Sequence, residues 1–163
     1  GTAEHGTTRG SLRLLDRAME PGQRLLDVGA GSGILSIAAA LLGAGQVVAV
    51  EGDPLACEAM EENLARNQVG PRVRMVQAWA DEAWLATLEP SDGVMANIAW
   101  RLLRPLVPGL RQALAPGGWL LLSGILDEEL AEARAVVGEL ELSVRSVDED
   151  GEWRALLLEP RAG

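Results

Sequence analysis

The stretch Asp27-Val28-Gly29-Ala30-Gly31-Ser32-Gly33 constrains this chain more than any other. It follows Arg24-Leu25-Leu26, which with Asp27 and Val28 has strand character. It precedes Ile34 to Leu42, an apolar, small-residue-rich segment of helical length that closes at Gly43. Glycines at alternate positions let the backbone turn tightly and bring a ligand against the first turn of a helix. The unit is a strand, a glycine turn and a helix.

The pattern then repeats. Gln46 to Glu51 is β-rich, Asp53-Pro54 supplies a cap and an N1 proline for a helix running to about Asn67, and Val73 to Gln77 gives a third strand. Asp81 to Leu88 predicts a helix and Gly93 to Asn97 a fourth strand. A further helix spans 101–114, its first turns confined or kinked by Pro105 and Pro108. The turn Ala115-Pro116-Gly117-Gly118 delivers Trp119 to Gly124, an apolar run expected of a central strand covered on both faces. A helix fits Asp127 to Val137, and Glu139 to Val147 and Glu152 to Glu159 form an antiparallel hairpin across an acidic turn. With a leading helix over Thr7 to Met19, the sum is an α/β fold: a mainly parallel sheet, helices on both faces and a C-terminal antiparallel hairpin. Ligands of such sheets bind beyond the carboxyl ends of the strands, which directs attention to the residues after Val28, Val50, Val76 and Ala96.

Length and charge narrow the classes. The 163 residues suffice for one core, and one domain over 1–163 is expected. No apolar run reaches the ~18 residues of a membrane span, and the first residues lack the pattern of a signal peptide, so a soluble, cytoplasmic protein without membrane partners is expected. The single Cys57 rules out an intrachain disulfide and a zinc site of ordinary composition; no metal is expected. A net charge of −10 opposes direct nucleic-acid binding and favours a cationic partner. Apart from His5 every basic side chain is Arg, and five Trp are the only aromatics. A GC-rich genome or a deliberately simplified alphabet would each explain this. The missing initiator Met suggests a processed or excised piece.

Several residues carry chemistry. A dinucleotide fingerprint requires glycine where Ile34 stands, whereas an acid (Asp27) before G-x-G-x-G at Gly29, Gly31 and Gly33 suits S-adenosylmethionine. The alternative is a tight turn without a ligand. Glu51 follows Gly29 at close to the ~20-residue offset at which an acid receives ribose hydroxyls; its alternative is a solvated loop acid. Asp53 is read as a helix cap. Asp81 is placed to receive an adenine amine with Trp79 or Ala80 flanking the ring. Asn97-Ile98-Ala99-Trp100 follows the fourth strand, where an Asn carbonyl can accept protons from an amine and aim its lone pair while Trp100 walls the cavity. Asn97 has a rival role as cap of the next helix. The lone His5 is incidental when taken alone, and Cys57 is read as a core residue.

These segments together resemble the PrmA family, bacterial methyltransferases that modify ribosomal protein L11. The resemblance spans essentially the whole chain. The family's entry motif G-T-G-x-H-x-T-T-R appears as Gly1 to Arg9, followed by Leu26 to Leu35, Ala96-Asn97-Ile98, Leu114 to Gly118, Leu122 to Leu126 and the closing Gly151-Glu152-Trp153. It implies a class I S-adenosylmethionine-dependent methyltransferase of Rossmann-like fold acting on a protein amine, with a ribosomal protein as partner. By the same resemblance His5, Thr8 and Asn97 are the catalytic candidates. Thr7, Asp27, Gly29, Gly31, Gly33, Glu51, Gly52, Ala80, Asp81 and Asn97 are the cofactor candidates, and Ile98 and Trp100 meet the substrate. Ala3 departs from the entry motif's glycine, which would alter the path of an entry loop, and the family's separate substrate-recognition domain is not part of these residues. The alternatives are a small-molecule or arginine methyltransferase and a catalytically silent cofactor-binding module.

Overall fold

The computed structural model describes residues 2–162, with side chains from Gly6 onward. Its elements are α1 (Thr2–Ala18), β1 (Arg24–Val28), α2 (Ile34–Leu41), β2 (Gln46–Glu51), α3 (Pro54–Arg66), β3 (Val73–Gln77), α4 (Glu82–Leu85), β4 (Ser91–Asn97), α5 (Trp100–Leu103), α6 (Val107–Gln112), β5 (Leu114–Leu126), α7 (Leu130–Glu139), β6 (Leu142–Asp150) and β7 (Trp153–Pro160). The strands form one sheet in the order β3-β2-β1-β4-β5-β7-β6. The first five run parallel, and β7 enters antiparallel between β5 and β6. Strand order reverses at β1, whose neighbours are β2 and β4, so the carboxyl end of β1 is the point where a cleft opens.

Successive residues of the central strands bury on opposite faces. Leu25, Met95 and Leu121 pack with Leu14 and Leu15 of α1, Ile37 of α2 and Met60 of α3. Leu26, Val94, Leu120 and Leu122 pack with Leu103, Leu110 and Val137 from α5, α6 and α7. Two-sided burial explains why these strands read as continuous apolar runs instead of alternating ones. Leu121 is fully buried, and truncation of such a side chain to Ala costs about 2–5 kcal/mol.

The expected elements are present with informative differences. The entry segment, expected to include a loop, continues α1 back to Thr2. The helix expected over Asp81 to Leu88 is a single turn, capped by Asp81. The helix expected over 101–114 is divided into α5, a 3-10 turn at Arg104–Leu106 and α6, because Pro105 and Pro108 each occupy a first-turn position where a missing N–H costs nothing.

One polar contact fixes α1 over the sheet. Arg13 grips the nearly buried Asp148 of β6 through two bonds of 2.7 Å each and reaches Asp150 at 2.8 Å, while Arg9 holds Asp150 at 2.7 and 2.9 Å. The two guanidinium groups hold the Asp150 carboxyl well below the usual carboxylate range. Among the described residues no helix is long and apolar enough to cross a membrane, and no cluster of His, Cys, Asp and Glu could hold a metal.

Candidate active site

A two-lobed cleft opens beyond the carboxyl ends of β1, β2 and β4. The larger lobe, about 630 Å³, lies between the glycine loop, the first turns of α1 and Trp153 of β7. The smaller, about 340 Å³, lies between Glu51, Trp79 and Leu102. Gly29, Asn97 and Ile98 line both and form the neck between them.

The glycine loop is built for close approach. Gly29, Gly31 and Gly33 all have positive φ, a conformation that L side chains rarely adopt. The space beside them differs. A Cβ on Gly33 would meet Met60 Cγ at 2.7 Å and one on Gly29 would meet Ile98, whereas one on Gly31 would stand in open space within the lobe that the loop lines. The loop is held from below as Asn63 Nδ2 donates to the Ser32 carbonyl at 3.0 Å. It is held from the side by Glu51, whose two carboxylate oxygens accept from Gly31 N at 2.8 Å and Asp53 N at 2.9 Å. Each of those oxygens retains a second lone pair, so Glu51 can still receive hydroxyl groups from a ligand. Gly52 follows, buried beneath the indole of Trp79, which is itself 76% exposed. Asp53 caps α3, its Oδ1 accepting from Leu55 N at 3.0 Å, as its sequence context implies.

Asp27 lies at the floor of the larger lobe, 1% exposed, and accepts from Ser36 Oγ at 2.7 Å. Burial pushes its carboxyl up to about 6; the bonds from the Ser36 hydroxyl and backbone oppose that rise, and the nearby Glu51 charge adds to it. Among the described residues, the ionisable side chains that line the cleft are Asp27 and Glu51. Two carboxylates in a cleft favour a cationic ligand and disfavour a pyrophosphate.

Asn97 ends β4. Its Nδ2 donates to Thr7 Oγ1 over a long 3.4 Å, and its carbonyl oxygen has no protein donor among the described residues. The helix that follows takes Ala99 as its N-cap without a side-chain bond, so capping is not the role of Asn97. Thr7 is placed by its own carbonyl, which accepts from Ser11 Oγ at 2.8 Å and Ser123 Oγ at 3.3 Å. Thr8 lines the larger lobe and Ile98 both. The side chain of His5 lies outside the described residues.

One expectation is corrected. Trp100 does not wall the cavity: it is 3% exposed within the core and its Nε1 donates to Glu132 Oε1 at 3.3 Å. α5 begins at this residue with its apolar side toward the sheet, and burying an indole there outweighs leaving it in water. Asp81 caps α4, its Oδ1 accepting from Trp84 N at 2.7 Å, and follows Ala80 and Trp79 at the wall of the smaller lobe. Sequence reasoning missed Trp153, which β7 brings to the larger lobe. Its signal was present in the closing Gly151-Glu152-Trp153, but only the hairpin's antiparallel return beside β5 carries it there.

The arrangement has counterparts. The family model described as ribosomal protein L11 methyltransferase (PrmA) matches residues 1–160. The chain belongs to this family. It is 42% identical to the ribosomal protein L11 methyltransferase of Chloroflexus aurantiacus, over 96% of this chain and 54% of the relative. It is also 42% identical to that of Pelotomaculum thermopropionicum, over 96% of this chain and 50% of the relative. The crystal structure of a ribosomal protein L11 methylase from Lactobacillus delbrueckii subsp. bulgaricus superposes with a TM-score of 0.89 at 30% identity, covering 97% of this chain and 80% of that one. The fold is that of the class I methyltransferases. The chain spans about half the length of the curated relatives it matches.

Proposed function

We propose that this chain is the catalytic domain of an S-adenosylmethionine-dependent N-methyltransferase acting in the cytoplasm on a protein amine, with ribosomal protein L11 as the acceptor-bearing partner. The observation that carries the reading is the neck of the cleft, where Asn97, its amide nitrogen engaged by Thr7, joins a lobe floored by Asp27 to a lobe edged by Glu51. The open space over Gly31 is a cradle of the kind a cofactor's main body occupies, and the carboxylates of Asp27 and Glu51 fit a sulfonium and an ammonium group. Glu51 would take the ribose hydroxyls, the apolar wall at Val50, Ala78, Ala80 and Leu102 the adenine, and the glycine loop and Thr7 the amino-acid end.

Bound S-adenosylmethionine supplies an activated methyl group on a positively charged sulfur. The residues of this chain then have three tasks. Asn97 accepts a hydrogen from the neutral acceptor amine and turns its lone pair toward the neck. Thr8, Ile98 and Trp153 narrow the larger lobe so that the amine enters along one line, and the walls exclude water. Alignment and desolvation of this kind contribute about 7–11 kcal/mol for well-oriented pairs. Transfer from the bound cofactor would form the nitrogen–carbon bond as the carbon–sulfur bond broke, with its electron pair left on sulfur, and the product ammonium would release its proton to solvent. Among the described residues no group is placed as a dedicated base, so the amine must arrive neutral and the rate must rise toward alkaline pH.

The test is mass spectrometry of purified ribosomal protein L11 after incubation with this chain and S-adenosylmethionine. Methyl additions that disappear in Asn97→Ala are expected. Cofactor binding without transfer to the protein or to small amines would favour the silent binding module, and a rate flat from neutral to alkaline pH would overturn the amine acceptor.

A further inference from the structure

A second cleft, of about 430 Å³, lies toward the amino ends of β1, β2 and β3 and shares no lining residue with the candidate active site. Its floor follows from the register. Leu26 pairs with Val48 and Val48 with Arg74, so the three side chains stand in one row on one face of the sheet, with Val76 on the same face two residues along. Over β4 and β5 that face is closed by α5, α6 and α7. Over β2 and β3 its cover is the single turn of α4 and the residues after it. Val48 and Val76 therefore remain half-buried beside Trp84 and Leu88.

Arg74 is the anomaly in this row. It stands where the neighbouring strands carry Leu and Val, it is exposed, and its guanidinium has no hydrogen bond or ion pair among the described residues. Other Arg also lack a carboxylate partner; what sets Arg74 apart is its place in an otherwise apolar row at the wall of a cleft. Arg24 and Glu89 also line the cleft and pair with each other at 3.2 Å, so the charge left uncompensated by an ion pair there is that of Arg74. A guanidinium with its donors free, rising beside an apolar floor, matches a planar anion carried on an apolar body.

We propose that this cleft is a second ligand site, for a small amphipathic carboxylate. The carboxylate pairs with the Arg74 guanidinium, and the apolar body lies on Val48 and Val76 against Trp84. The proposal is independent of the methyl-transfer reading.

The probe is 1-naphthoate, titrated calorimetrically into the whole chain with S-adenosylhomocysteine present in excess. Its uncharged analogue 1-naphthalenemethanol serves as comparison, and methyl chemical shifts of Val48 and Val76 report location. Saturable binding that shifts those methyls is expected, weakened ~10-fold or more both by Arg74→Leu and by replacing the acid with the alcohol. Arg74 is exposed, and an unchanged melting temperature identifies Arg74→Leu as folded. The alcohol comparison uses the unaltered chain and stands whatever the variant does. Equal affinity for acid and alcohol, unchanged affinity in folded Arg74→Leu, shifts confined to the larger cleft, or no binding would each overturn the proposal and leave Arg74 as a solvated charge guarding an edge strand.

Discussion

Gly31→Asn separates folding from ligand binding. Gly31 has φ +59°, and a Cβ there meets no atom within 4 Å. The variant therefore incurs backbone strain without a clash. Left-handed backbone costs an L residue about 1–2 kcal/mol, and Asn tolerates it best. For a chain of this size each kcal/mol lowers Tm by about 2–4 °C, so a fall of at most ~8 °C is expected. The new side chain projects into the lobe lined by the glycine loop, where the proposed cofactor would approach the backbone. A loss of affinity for S-adenosylmethionine of ~100-fold or more is expected, equivalent to about 2.8 kcal/mol. Asn is neutral, so the loss reads as excluded volume. Paired thermal melts and isothermal titrations measure both quantities. Gly33→Ala is the counterpart, because its Cβ would press on Met60 Cγ and disturb the α2–α3 packing, lowering stability and binding together. Retained cofactor affinity in folded Gly31→Asn would refute the placement of the ligand over this loop.

Asn97→Ala should lower kcat by ~10²-fold or more while changing cofactor affinity far less, since loss of a single aligning polar group at a reacting centre has effects of that size; equal losses in both would point to a structural role. Thr7→Ser should retain most activity and Thr7→Val should not, because only the hydroxyl can accept from Asn97 Nδ2; steady-state rates of the two variants decide it. Asp27 has a folded pKa raised to about 6 from 3.8, so its charge destabilises the fold most fully above pH 6 and the penalty fades as pH falls toward 3.8. Relative to Asp27→Asn, the unaltered chain should therefore gain about 1–2 kcal/mol between pH 8 and pH 5 in urea melts, and parallel curves would contradict the raised pKa. Trp100→Phe should lower stability through the lost Glu132 contact and leave the acceptor KM unchanged; a raised KM would return Trp100 to the cavity.

The parts of the site that were legible are those where backbone need and residue type coincide. The glycine spacing, the capping Asp53 with Pro54 and the acid at the end of β2 each declare a local geometry that few other residues satisfy. Asn97 was legible as a polar residue at a strand terminus, though its hydrogen bond to Thr7 joins segments far apart in the chain. Trp100 was misplaced because position after a strand end identifies the neighbourhood, but a helix beginning at that residue decides which way the side chain turns.

Local chemistry thus specified the strands, the glycine turn and the carboxyl-end location of the cleft, because turn conformations, caps and apolar periodicity are properties of a few adjacent residues. Packing specified what those residues do together. The insertion of β7 between β5 and β6 brought Trp153 to the cleft, and the bond from Ser123 of β5 to the Thr7 carbonyl ties α1 to the sheet where Thr7 meets Asn97. The row that puts Arg74 beside Val48 and Leu26 likewise depends on register between separate strands. Such juxtapositions arise from long-range pairing and burial energies summed over the whole sheet, which no short window of sequence contains.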